Sequence, residues 1–363
     1  MKIIIFAGGA GKRLWPVSRI KNPKQFQKIY GNETSLENSF NTIKNKFDIG
    51  DIFVSTGSDF VEDVLRTLPK LPPTNLILEP LSKDTGPAVA YAMLKIHQKF
   101  PNEPVVIRWQ NSLIKNPKAF VEALTDAERL FKENVAQFVY LAVPSKFPNP
   151  NVGYIQAKFE SVIESSGNQI RSFVRFTEKP DLLTAQEYQK DESYFWNPGC
   201  YITTPDFVIK SIEKYNQDLF KNFILPIQNS LGKEDEWDVT VEAFKAVKKE
   251  SVDYALWEKL PPDGIKVIAT DYDWHYVSTW SDIKAAFVSS EEQNYVSGNV
   301  VLLNTKNSLV ANFSDSKIVA VSEVEDVVVV NTDDAVLVIS KSKAGKVKEI
   351  VSELEKNGMD NFI

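Results

Sequence analysis

Residues 3–6, Ile-Ile-Ile-Phe, form an unbroken apolar run that ends at Gly8-Gly9, with Gly11-Lys12-Arg13 close behind. A run that is apolar at every position, rather than at alternate ones, is how a strand buried on both faces reads. Such strands belong to parallel sheets covered by helices on both sides. Similar runs recur at 51–55, 104–107 and 138–143. Between them, 87–100 carries Val89, Met93, Leu94 and Ile96, and 116–132 carries Phe120, Leu124, Ala127 and Leu130, close to helical spacing. Strands alternating with helices predict an α/β fold, Rossmann-like, with a mixed, mostly parallel sheet.

The pattern changes after about residue 290. Short β-rich runs at 300–303, 308–312, 317–321, 327–330 and 335–340 are separated by Asn, Asp and Ser. They predict a small C-terminal β module, solenoid-like in its spacing though without a clean repeat. A terminal helix follows, its stripe being Val347, Ile350, Val351 and Leu354. The predicted domains are 1–287 and 288–363.

Composition removes several classes of function. The 363 residues hold 42 Lys+Arg against 48 Asp+Glu, a net charge of −6 with no basic block, so no nucleic-acid partner is expected. One cysteine, Cys200, excludes an internal disulfide and a cysteine-based zinc site. Two histidines, His97 and His275, are too few for a His-rich metal site and read as structural. No segment approaches the ~20 apolar residues that span a bilayer. The N-terminal apolar stretch is too short for a signal peptide. The expected location is cytoplasmic, with no membrane partner.

The loop Gly8-Gly9-Ala10-Gly11-Lys12-Arg13 is not a Walker loop, because Arg13 stands where Ser or Thr belongs and Phe6 where the first Gly belongs. Nor is it a dinucleotide fingerprint, because Leu14 replaces the third glycine. Its chemistry still suits phosphate: glycines let backbone N–H groups approach oxygens, Arg13 offers a bidentate fork, and Lys24 a mobile point charge.

Arg13-Leu14-Trp15-Pro16, Ser18-Arg19 and Pro23-Lys24-Gln25-Phe26 resemble the signature of sugar-1-phosphate nucleotidyltransferases, most of all the mannose-1-phosphate guanylyltransferase branch. Glu79-Pro80 with Lys83-Asp84-Thr85-Gly86-Pro87-Ala88 resembles the family's segment near the base. Gly153-Tyr154-Ile155, Phe176-Thr177-Glu178-Lys179-Pro180 and Trp196-Asn197-Pro198-Gly199 resemble its sugar-side motifs, and Ser251-Val252-Asp253-Tyr254-Ala255 another of its blocks. Asn299-Val300-Val301 and 325–332 resemble its C-terminal β module.

The resemblance implies transfer of GMP from GTP to mannose 1-phosphate, giving GDP-mannose and pyrophosphate. It implies Ala7, Gly8, Gly9, Gly11, Glu79, Thr85 and Asn111 along the nucleotide, with Arg13 and Lys24 as the catalytic cations. Gly153, Glu178, Lys179 and Asn197 would hold the sugar phosphate, and a homodimer is implied too.

The family's Mg²⁺ is held by two aspartates. At those positions this chain reads Arg108-Trp109-Gln110-Asn111-Ser112 and Trp274-His275-Tyr276-Val277, so no metal ligand is assigned. Asp271 and Asp273 lie near in sequence, but Asp273 and Tyr276 would face opposite sides of a strand. Two alternatives therefore stand beside the guanylyltransferase reading. One is an impaired member that binds nucleotide or sugar nucleotide as a regulatory or binding subunit. The other is a transferase for another sugar 1-phosphate.

Overall fold

The computed structural model describes residues 1–9, 11–158 and 168–363; Ala10 of the glycine loop lies outside them. In chain order the strands are β1 (Lys2–Phe6), β2 (Ile52–Gly57), β3 (Leu76–Glu79), β4 (Val105–Trp109), β5 (Ser112–Ile114), β6 (Phe138–Pro144), β7 (Gly153–Lys158), β8 (Gln169–Thr177), β9 (Tyr194–Thr203), β10 (Ile265–Ala269), β11 (Trp274–Tyr276), β12 (Tyr295–Ser297), β13 (Val300–Leu303), β14 (Leu309–Asn312), β15 (Val319–Ser322), β16 (Val327–Asn331) and β17 (Val336–Ser340). The chain divides into two compact units. One is Met1–Gly8, Ser39–Gln110 and Ile114–Trp274; the other is Gly9–Asn38, Asn111–Leu113 and His275–Ile363.

The first unit is built on a nine-stranded sheet in the order β3-β2-β1-β4-β9-β6-β10-β8-β7. β1 pairs in parallel with β2 and β4, β2 with β3, and β6 with β10; β8 and β9 run against their neighbours. The sheet is thus mixed, with most strands sharing one direction, as the apolar runs predict. Ile3, Ile4, Ile5, Val105, Val106 and Ile107 are fully buried because helices cover both faces. The helix Thr85–His97 is buried along most of its length, and Pro117–Lys132 buries Phe120, Leu124, Ala127 and Leu130. The chain leaves β1 outward to β2 and β3, then returns to β4 on the other side of β1. In an open sheet that reversal marks where ligands bind, beyond the C-terminal ends of the strands.

The second unit carries the β module. β12-β14-β16-β17 form one sheet and β13-β15 another, with all pairings parallel except β16–β17. A repeat that the sequence hides is plain in the register: Val300 pairs with Val319 and Leu309 with Val328. The offset of 19 residues also links Asn304 with Glu323, Asn307 with Asp326, and Asn312 with Asn331 by side-chain hydrogen bonds. Leu14, Trp15 and Ile29 pack in one cluster with Trp280, Leu309, Val328, Val347 and Val351, so the terminal helix stripe is a core element. Among the described residues, no helix is long and apolar enough to cross a membrane.

Candidate active site

The glycine loop begins where β1 ends. Ala7 is engaged on both sides: its N–H donates to Ser55 O at 2.8 Å, and its carbonyl accepts from the Thr56 hydroxyl at 3.3 Å. The N–H groups of Gly8 and Gly9 have no hydrogen-bond partner among the described residues. Both glycines are exposed, and a Cβ on either would meet nothing within 4 Å. That leaves bare amides of the kind that accept an anion.

In the second unit Gly11 has φ +59°, and a Cβ there would lie 2.5 Å from Ser18 Oγ and 3.0 Å from Lys24 Cγ. Only glycine permits this turn, which opens the short 3₁₀ segment Lys12–Leu14. Arg13 is exposed. Lys24 is half-buried, and its Nζ donates to Val277 O at 3.5 Å. Burial, with the Arg13 guanidinium nearby, brings the Lys24 pKa from 10.5 down to about 8, against the opposing pull of Asp282. Asp282 is held in place as the third helical residue of a capping box with Thr279, its Oδ2 accepting from the N–H groups of Ser278 and Thr279 at 3.0 and 2.7 Å.

Asn111 O accepts from Val277 N at 3.0 Å, which sets Asn111 beside the β11 end that carries Tyr276. An amide carbonyl and a phenol bring no negative charge, whereas Mg²⁺ is usually bound through one or two carboxylates. Among the described residues, no group of three His, Cys, Asp or Glu gathers as a metal centre. This donor set does not fit a carboxylate-held Mg²⁺. Asp273 does not alternate with Tyr276 along one strand, contrary to expectation: β11 starts at Trp274, and Asp273 precedes it in the left-handed region at φ +51°. Asp271 is an exposed ion-pair partner of Lys146 at 3.2 Å.

On the first unit, Glu79 ends β3, nearly buried, and accepts a hydrogen bond from Ser55 Oγ at 2.8 Å. Burial lifts its pKa from 4.5 to about 7. Thr85 opens its helix behind the Asp84 cap, and its Oγ1 accepts from Val252 N at 2.8 Å, retaining its own O–H to donate.

The remaining expected residues gather in that same unit. Gly153 begins β7, and a Cβ there would stand 2.7 Å from Glu178 Oε2, so the carboxyl lies directly over it. Glu178 is bound by Lys179 Nζ, and its N–H donates to Glu258 Oε1 at 3.1 Å. Lys179 holds φ +44°, a strained conformation for a non-glycine residue. Asn197 sits in an irregularity of β9, where Leu141 pairs with Cys200 but Val143 with Trp196. The extra length is absorbed at Gly199, φ +73°, whose missing side chain leaves room for Trp109. Bulges of this kind re-aim side chains near functional sites. Asn197 Nδ2 donates to Tyr201 Oη at 2.9 Å, and Tyr201 donates to Asp253 Oδ1 at 3.1 Å. Sequence reasoning singled out neither Tyr201, Glu258 nor Asp282, and quoted Asp253 only within a block.

Comparison with known proteins decides the family. Residues 2–287 match the nucleotidyl transferase family and 298–354 the MannoseP isomerase/GMP-like beta-helix domain. The chain belongs to the nucleotidyl transferase family. It is 30% identical over 362 residues to a mannose-1-phosphate guanylyltransferase of Klebsiella pneumoniae, covering 99% of this chain and 75% of that protein. The alginate biosynthesis protein AlgA of Pseudomonas aeruginosa is 28% identical, over 98% and 72%. Among solved structures, mannose-1-phosphate geranyltransferase from Thermus thermophilus superposes with a TM-score of 0.82 at 26% identity, over 98% of this chain and 99% of that one. The protein is therefore a sugar-1-phosphate nucleotidyltransferase of the mannose-1-phosphate guanylyltransferase type, with the α/β fold and β-helix-like module expected from its sequence.

Proposed function

We propose that this nucleotidyltransferase transfers GMP from GTP to mannose 1-phosphate, forming GDP-mannose. The observation that carries the reading is the cation-flanked glycine turn, Gly11 with Arg13 and Lys24, in a chain that also holds Glu178, Lys179 and Asn197 as one cluster. A phosphate oxygen of the sugar 1-phosphate attacks the α-phosphorus. The new P–O bond forms as the bond to the β-phosphate breaks, and pyrophosphate leaves with the electron pair. The nucleophile is already an anion, so the protein supplies alignment and charge neutralisation rather than a general base. The amides of Gly8, Gly9 and Gly11, with Ala7 behind them, line the nucleotide. Arg13 faces the leaving phosphates and Lys24 the α-phosphate. Glu79, Thr85 and Asn111 contact the nucleoside. Gly153 permits close approach of the sugar, Glu178 accepts from its hydroxyls, Lys179 binds its phosphate and Asn197 orients it.

Pyrophosphate release from GTP and mannose 1-phosphate, assayed with Mg²⁺ in solution, is the expected outcome. Release from glucose 1-phosphate in preference to mannose 1-phosphate would favour another sugar instead. The neutral pair Asn111 and Tyr276 supports a second reading, a binding subunit without turnover. It predicts calorimetric binding of GDP-mannose, no pyrophosphate, and turnover gained on combining Asn111→Asp with Tyr276→Asp. We also propose a homodimer; light scattering on the eluting protein at only the 41.0 kDa of one chain overturns it.

A further inference from the structure

We propose that Tyr201 and Asp253 are positioning residues for sugar recognition, fixing the Asn197 carboxamide so that one of its N–H groups is presented to a sugar hydroxyl. The inference rests on reading the first-unit cluster as the sugar site.

The chain of hydrogen bonds has one direction. Gly199 N–H donates to Asn197 Oδ1 at 2.9 Å, so the amide oxygen is committed and the nitrogen must face Tyr201. Tyr201 Oη accepts that N–H and points its own O–H at Asp253 Oδ1. Gly199 N–H at one end and the Asp253 carboxylate at the other thus fix the sense of the series. A carboxamide nitrogen carries two hydrogens. Tyr201 takes one, and the second has no partner among the described residues, although Asn197 is only 8% exposed. A nearly buried donor left unpaired is costly, and a ligand oxygen satisfies it. The Tyr140 hydroxyl, whose ring packs edge-on against Tyr201 with centroids 5.6 Å apart, is also buried without a partner. Two polar groups around one phenol thus await a hydrogen-bonding guest or water.

The groups acting on Asp253 are Glu178, Lys179 and Tyr201, and Asp253 in turn acts on Tyr254 and Tyr140; Glu258 acts on these two tyrosines as well. Burial and the Glu178 carboxylate raise the Asp253 pKa to about 7. Below that value the protonated carboxyl donates its own hydrogen to Tyr201 Oη, competes there with the Asn197 N–H for the phenol's acceptor site, and loosens the carboxamide that presents the second N–H. Affinity for the sugar should fall as pH drops through about 7.

The test is calorimetric titration of the full chain with GDP-mannose and separately with GTP, between pH 6 and 8.5. Tyr201→Phe removes one oxygen and leaves the ring packing. It is expected to weaken GDP-mannose about tenfold while leaving GTP within about twofold. Asp253→Asn keeps an acceptor without a titrating group, so it should retain GDP-mannose affinity near pH 8 and abolish the fall toward pH 6. A merely structural role would lower the melting temperature without separating the two ligands. Wild-type binding of GDP-mannose with an unchanged ligand ratio in Tyr201→Phe overturns this inference alone. Failure of the wild type to bind GDP-mannose overturns the site reading along with it.

Discussion

Lys24 sits half-buried beneath the glycine turn with a pKa brought down to about 8 by burial and by Arg13. A lysine in that state loses its charge within reach of ordinary buffers. The expected consequence is that kcat/KM for GTP declines as pH rises through about 8. Lys24→Arg stays cationic throughout, so it should remove that alkaline limb even where altered geometry lowers the plateau. Lys24→Met should cost about 100-fold in kcat, the scale for losing one preorganised donor to a developing charge. An alkaline limb that persists in Lys24→Arg would assign the titration elsewhere.

Glu79 titrates in the opposite sense. Folding raises its pKa from 4.5 to about 7, so the folded state holds a proton that the unfolded chain has released. Stability therefore falls as pH rises from 4.5 through 7, by about 3 kcal/mol if the full shift is counted. Glu79→Gln should melt higher than wild type at pH 8 and nearly level with it at pH 4. Because Glu79 is proposed to contact the nucleoside, the same variant should also weaken calorimetric GTP binding. Such a stability cost is common at functional carboxyls.

At the scale of elements, β9 and the β module show what a sequence displays and what it conceals. The buried parallel strands were legible because apolar runs need no partner to be recognised: β1, β4 and β6 fall within two residues of their expected bounds. The glycine turn was legible through residue type. The β9 bulge was not, since the register that exposes it is a property of β6 and β9 together. The Tyr201–Asp253 bond joins residues 52 apart, and no local pattern reports it.

The 19-residue coil is hidden in the sequence for a related reason. Its paired strand positions hold interchangeable Val, Leu and Ala, and its left-handed corners accept Asn304 and Asn307 in one turn but Glu323 and Asp326 in the next. Among the paired strand positions, one polar identity does repeat, Asn312 opposite Asn331. Asn331 Nδ2 donates to Asn312 Oδ1 at 2.7 Å, while Asn312 Nδ2 donates to Asn299 O and Lys317 O at 3.0 and 2.7 Å. Both side chains are nearly buried. Asn312→Ala would orphan these partners and should destabilise the module by about 2–3 kcal/mol, read from chemical denaturation. A loss under about 0.5 kcal/mol would mean that water replaces the amide.

On the scale of the whole molecule, the module far along the chain and the loop near its start belong to one compact unit. Trp280 Nε1 donates to Trp15 O at 3.0 Å, Trp15 Nε1 donates to Phe362 O at 2.6 Å, and Arg19 binds Asp334 through two nitrogens. Lys12 pairs with Glu355 at 2.5 Å, but both are more than a third exposed, so this bridge contributes about 0–1 kcal/mol. Packing decides instead: Leu14 and Trp15 share a cluster with Val347 and Val351, all nearly or fully buried. The terminal helix is therefore a support for the segment after the glycine loop. Glu355→Ala should leave GTP affinity within about twofold, as befits an exposed pair. Val351→Ala, which opens a cavity under Leu14 and Trp15, should cost about 2 kcal/mol of stability. Deleting 347–363 should abolish calorimetric GTP binding, because the cluster that anchors Leu14 and Trp15, next in the chain to Arg13, loses one side. If the deleted chain still melts cooperatively and binds GTP as tightly as the full one, the loop holds its shape without that helix and the proposed support is wrong.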